Sequence, residues 1–224
     1  SPWFERGLAY AALAMHETLS CVHEVHVLAK PGPNGHDVGE EFQVSNLTWA
    51  NGELFGWPLR WAQECELDVL IFNERHDCKR LAGLREHGFK LLCLCEWESI
   101  GIEHVPAMNA CWHGVIAPTR CAYDRFCGIG LRHVFSVPWG ADPKEFESVG
   151  RAGPLQFFHP AGYGGKAGRR GAREVRRAWE MADTGDAVLL ITSQRGDGGE
   201  SDGSVRTLRG TLPRPVLADC YRAS

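Results

Sequence analysis

Short continuous apolar runs, separated by helical segments, are the feature of this sequence that most restricts its fold. Residues 68–73, 90–95 and 187–192 hold the clearest of these runs, each with at least four apolar residues in a row. Runs of this kind are typical of strands that are buried on both faces of a sheet. Their alternation with helical segments predicts an α/β fold built on central parallel sheets.

The same patterns predict the other elements along the chain. Thr119 is expected to cap the helix that follows it, and Gly128 to end that helix. Residues 36–56 are rich in turn-forming residues and receive no assignment. Strands are predicted at residues 24–30, 68–73, 90–95, 114–118, 133–137, 155–159 and 187–192, and helices at 4–19, 57–66, 77–87, 119–127, 171–182 and 215–221.

Composition limits the classes of protein to which the chain can belong. Of its 224 residues, 44% are hydrophobic and 23% charged, and the formal net charge is -4. These values exclude a disordered chain, and they argue against a nucleic-acid partner that engages the whole surface. Nine cysteines without regular spacing favour a reducing, cytoplasmic location. No window reaches the roughly 18 apolar residues of a membrane span, whereas peripheral membrane association stays open.

The length of the chain does not correspond to a whole number of average domains. At about 150 residues per domain, the chain corresponds to about one and a half domains. A stretch rich in Glu, Gly and Pro at residues 143–154 predicts a linker, so that residues 1–142 and 155–224 form separate lobes. Since the sequence also begins without Met, we expect it to be an excerpt of a longer protein.

A basic, glycine-rich loop between a predicted strand and a predicted helix is the most informative local feature. It contains Gly162, Gly164, Lys166, Arg169, Arg170 and Gly171. Glycines allow close approach of a ligand to the backbone, and the amides at a helix N-terminus attract anions. Basic side chains in a first helical turn are unfavourable unless an anion is bound, so the loop predicts a phosphate site. The alternative is a solvated basic loop without a ligand.

Two familiar phosphate-binding patterns fit this loop poorly. A Walker A loop requires Gly and Ser or Thr where Pro160 and Ala167 stand. The loose dinucleotide pattern is satisfied, but the next predicted strand ends without the acidic residue that holds a ribose. An NAD-dependent oxidoreductase and a non-catalytic nucleotide- or phosphate-binding module therefore remain as alternatives.

Two motifs resemble the group 1, or family 4-like, glycosyltransferases of the GT-B fold. Arg170-Gly171-x-x-x-Val175-x-x-Ala178 is similar to the segment that opens the C-terminal lobe of that family. Residues 136–146, Ser-Val-Pro-Trp-Gly-Ala-Asp-Pro-Lys-Glu-Phe, resemble the exit from the N-terminal lobe. Looser likeness extends to residues 23–28, 116–120 and 212–222.

The resemblance implies two Rossmann-like parallel-sheet lobes, the second incomplete. It also implies a hexosyltransferase-type enzyme that moves a sugar from a nucleotide-sugar donor to a glycan, lipid or small-molecule acceptor, with retention and without metal or cofactor. The basic loop would hold the donor diphosphate. In the family a strand precedes the first helix, a Glu-rich donor loop lies where this chain would continue beyond Ser224, and Lys is usual at the position of Arg170.

Candidate acceptor-side residues follow the predicted strands of the first lobe. Ligands of open parallel sheets bind at the carboxyl ends of the strands, which selects Asn73, Glu74, His76, Glu96 and Glu98. Glu96 is the candidate base and His76 a candidate acid-base group. The alternatives are a solvated or salt-bridged glutamate and an exposed histidine.

Tryptophans and metal-binding residue types give weaker signals. Trp49, Trp57 and Trp61 would stack on an acceptor or, more commonly for such spacing, pack in the core. A metal site is not expected, because His23 and His26 would lie on opposite faces of a strand and no Cys-x-x-Cys motif occurs. Cys93 and Cys95 would face the same way within an apolar strand.

Overall fold

Parallel β-sheets with helices between their strands form the structure, as the apolar runs predict. The computed structural model describes residues 7–30, 43–50, 53, 57–75, 78–96, 100–140, 143–144, 147, 153–161, 171–193, 203–210 and 212–224. The chain divides into two units, Ser1–Gly140 and Ala141–Ser224. In the described residues every strand pairing is parallel, so the α/β class is confirmed.

The first unit contains a two-stranded and a four-stranded sheet, with orders β1-β2 and β3-β4-β5-β6. Short helices connect neighbouring strands of the larger sheet, which is the connection that parallel pairing requires. Its elements are α1 (Gly7–Leu19), β1 (Val27–Ala29), β2 (Leu47–Trp49), α2 (Leu59–Glu64), β3 (Val69–Asn73), α3 (Cys78–Leu81), α4 (Gly83–Glu86), β4 (Lys90–Leu94), a 3₁₀ turn (Ile102–His104), α5 (Val105–Cys111), β5 (Gly114–Ala117), α6 (Arg120–Gly128) and β6 (Val134–Ser136).

The core of the first unit lies between the larger sheet and its helices. Leu91 and Cys93 of β4 and Val115 of β5 are at most 1% exposed. They share one apolar cluster with Met108 of α5 and Phe126 of α6. A smaller cluster joins α1 to β1 and β2. The apolar runs of β4 and β5 are therefore buried because helices cover the sheet.

The described residues of the second unit form a three-stranded sheet in the order β7-β8-β9. Its core holds Ala172 of the first helix together with Leu189 and Ile191 of the central strand. The indole Nε1 of Trp179 donates a hydrogen bond to Ser204 Oγ at 2.9 Å, which ties that helix to the turn before the last strand. The elements are β7 (Gln156–His159), α7 (Ala172–Met181), β8 (Val188–Ser193), β9 (Val205–Arg209) and α8 (Arg214–Arg222).

Several predicted elements differ from the observed ones. The helix predicted at 77–87 is broken into α3 and α4, because the chain tightens at Ala82, whose carbonyl accepts a bond from the N–H of Arg85 three residues on. The strand predicted at 24–30 is confined to β1, and the helix predicted at 57–66 to α2. No prediction covers β2, α5 or β9.

The helices and the cysteines bear on membrane insertion and on disulfide bonding. None of the helices in the described part of the chain has the length and apolar character needed to cross a bilayer. All nine cysteines lie in that part, and each is a free thiol.

Candidate functional site

The carboxyl ends of β3, β4 and β5 meet at one edge of the four-stranded sheet. Asn73 lies in register with Leu94, and the N–H of Glu74 donates to the Leu94 carbonyl at 2.8 Å. The N–H of Cys95 donates in turn to the carbonyl of Ile116 at 3.2 Å. Asn73, Glu74 and Glu96 therefore follow neighbouring strand ends, as their spacing predicts. We call this place the carboxyl edge.

Both described glutamates of the carboxyl edge are half-buried. Glu74 follows β3 with a φ of 49°, a left-handed conformation that is uncommon for a residue other than glycine. Glu66 and His133 also have positive φ, at 50° and 53°, and they precede strands instead. Backbone strain therefore does not by itself distinguish the carboxyl edge from the opposite one.

Arg75 and Thr119 belong to the same edge, although the sequence does not single them out as site residues. Arg75 follows Glu74 and is half-buried, and its carbonyl accepts a weak bond from Cys93 Sγ at 3.5 Å. Thr119 follows β5, and its Oγ1 accepts the N–H of Ala122 at 3.1 Å, which confirms the predicted cap of α6. The signal for both is their position two residues after a strand of the sheet. The residues at and after these strand ends thus include two glutamates, an arginine and a threonine.

His76 and Glu98 lie outside the described residues, so Glu96 is the candidate acid-base group with a known position.

The tryptophans of the first unit pack in its interior. Trp61 is 9% exposed, and its Nε1 donates to Thr48 Oγ1 at 3.2 Å. Trp57 packs on the main core, where its Cη2 atom would lie 3.0 Å from a Cβ placed on Gly83. Trp49 packs on the smaller cluster with α1. This placement corresponds to the packing alternative, not to a stacking platform.

The predicted diphosphate loop connects β7 to α7 in the second unit. Gly162, Gly164, Lys166, Arg169 and Arg170 lie outside the described residues. Gly171 is described, and it precedes α7 with φ 72° and ψ 21°. Its carbonyl accepts the N–H of Val175 at 2.9 Å, which starts the helix. The left-handed backbone at this position explains why glycine stands there.

The end of β8 bears on the dinucleotide alternative. Thr192 and Ser193 occupy this end and are 5% and 0% exposed. Their short buried hydroxyls stand where a ribose-binding acid would be expected in a dinucleotide site.

The described histidines and cysteines of the first unit bear on the question of a metal site. Within the described residues, no group of three or more His, Cys, Asp or Glu side chains is arranged to hold a metal ion. His23 and His26 precede β1 and do not lie within a strand, which corrects their predicted placement on opposite strand faces. His26 Nε2 lies 3.0 Å from Glu24 Oε1.

Cys93 and Cys95 do face the same way, with their Sγ atoms 3.0 Å apart. The hydrogen bond with Cys93, together with burial, raises the pKa of Cys95 above its ordinary value. Such a thiol stays protonated, so it is a poor nucleophile and a poor metal ligand.

In sequence comparisons, no model of a protein family and no curated protein matches this chain. The residues and the fold are therefore what a functional proposal for this chain can be based on.

Proposed function

We propose that this chain belongs to a GT-B-type glycosyltransferase that moves a sugar from a nucleotide-sugar donor to an acceptor hydroxyl. One observation carries the proposal: the segment with Lys166, Arg169 and Arg170 connects the carboxyl end of β7 to the N-terminus of α7. Basic side chains and helix amides at such a junction suit the diphosphate of a donor.

The chemistry required of this segment is electrostatic. When the sugar leaves, negative charge develops on the nucleoside diphosphate. Fixed cations and amides aimed at that charge stabilise the transition state without a metal ion. Lys166, Arg169, Arg170 and the amide of Gly171 would supply these groups, and the glycines at 162 and 164 would let the diphosphate approach the backbone.

The carboxyl edge would receive the acceptor, which is a glycan, a lipid or a small molecule. A half-buried carboxylate such as Glu96 can orient an acceptor hydroxyl or take its proton. Arg75 and Thr119 offer polar contacts beside it. Retention of the anomeric configuration follows only from the family resemblance.

Diphosphate binding can be tested with inorganic pyrophosphate and titration calorimetry. The variant Lys166→Ala/Arg169→Ala/Arg170→Ala removes the proposed cations. A matched control, Arg132→Ala/Arg177→Ala/Arg206→Ala, removes three exposed arginines elsewhere and changes the net charge equally. We expect about tenfold weaker binding per lost charged contact in the first variant and little change in the control. Equal losses in both variants would contradict the assignment.

Catalysis separates the enzyme from a non-catalytic binding module. UDP-glucose, GDP-mannose and ADP-glucose are incubated with the full-length product of the gene, and free nucleoside diphosphate is measured. With the donor that is consumed, Glu96→Gln should lower turnover roughly 10²–10⁴-fold and leave pyrophosphate affinity unchanged. Glu86→Gln, an exposed carboxylate of α4, is the control. Pyrophosphate binding with no donor consumption would favour the module, and binding of NADH seen by its fluorescence would favour the oxidoreductase.

A further inference from the structure

We draw no further inference here: the strongest candidate, the apolar groove of about 580 Å³ between α1, β1 and β3 of the first unit, carries no proposal because nothing in the described part of the chain shows what covers it.

Discussion

Gly171 has a left-handed backbone conformation and also belongs to the proposed diphosphate site. Its φ of 72° is left-handed, and among the described residues a Cβ added there would meet only Glu174 Oε2, at 3.8 Å. Gly185 of the same unit has a φ of 55° and no atom within 4 Å of such a Cβ. Substitution at either glycine therefore strains the backbone without a serious steric clash, which makes the two positions a matched pair.

Gly171→Ala and Gly185→Ala should each lower the stability of the second unit by roughly 1–2 kcal/mol, the cost of a left-handed conformation for a residue with a Cβ. Only Gly171→Ala should also weaken pyrophosphate binding, because it shifts the amides that start α7. Urea denaturation measures the first effect and calorimetry the second. Equal pyrophosphate affinity in the two variants would show that Gly171 has only a structural role.

The titratable side chain of His113 is hydrogen-bonded to the backbone of the sheet. Its Nδ1 accepts the N–H of Leu91 at 3.1 Å, which requires an unprotonated nitrogen at that position. Desolvation, followed by the charges of Arg85 and Lys90, lowers the pKa of His113 from its ordinary value of 6.5. The neutral ring is therefore favoured in the folded chain.

A lowered folded-state pKa means that the unfolded chain takes up the proton first as pH falls. The contribution of His113 to stability is thus present above pH 6.5 and is lost below it, as protonation reaches the folded state. We predict that the stability of the natural chain minus that of His113→Asn decreases from about pH 8 to about pH 5. Urea denaturation across this range measures the difference, and a constant difference would refute the prediction.

At the scale of elements, the cap of α6 is a local feature that can be removed cleanly. Thr119→Ala deletes the Oγ1 that accepts the Ala122 N–H and should cost about 1 kcal/mol. Thr18→Ala is the control, because Thr18 Oγ1 bonds to the Ala14 carbonyl within α1 and caps no helix. Urea denaturation should show the loss in the first variant only. A comparable loss in both would mean that the cap contributes no more than an ordinary exposed hydroxyl.

The strands that the sequence predicts well are those with continuous apolar runs. β3, β4 and β5 agree with prediction to within one residue at each end. β2 is three residues long and lies among turn-forming residues, so its pairing with β1 comes from tertiary contact. β9 is stabilised by its ladder with β8 rather than by an apolar run.

The candidate site could be predicted only in part for related reasons. Asn73 ends one long apolar strand and Glu96 follows another, so their position at the carboxyl edge is implied by the alternation of elements. Arg75 and Thr119 also follow strand ends, but the pairing of β3 and β5 with β4, which brings those ends to one edge, is not specified by any local pattern. The basic loop is recognised by residue type alone, and residues 162–170 lie outside the described part.

At the scale of the whole molecule, the cysteines of both units differ in how far they are exposed to solvent. Cys21, Cys121 and Cys127 are exposed, and Cys65 is half-buried. Cys78, Cys93, Cys95, Cys111 and Cys220 are buried. A hydrogen bond with Cys78 and burial raise the pKa of Cys111, and burial raises the pKa of Cys220 in the second unit.

Thiol labelling of the folded chain should therefore proceed in distinct steps. Because thiolates react and buried thiols stay protonated, we expect the three exposed cysteines to react with 5,5′-dithiobis(2-nitrobenzoate) first and Cys65 more slowly. The five buried cysteines should react only as their unit unfolds. Labelling in increasing urea, with sites assigned by peptide mass, would show whether Cys220 becomes reactive at the same concentration as the cysteines of the first unit. Rapid labelling of Cys93 or Cys95 without denaturant would contradict the close packing of β4 on which the first unit depends.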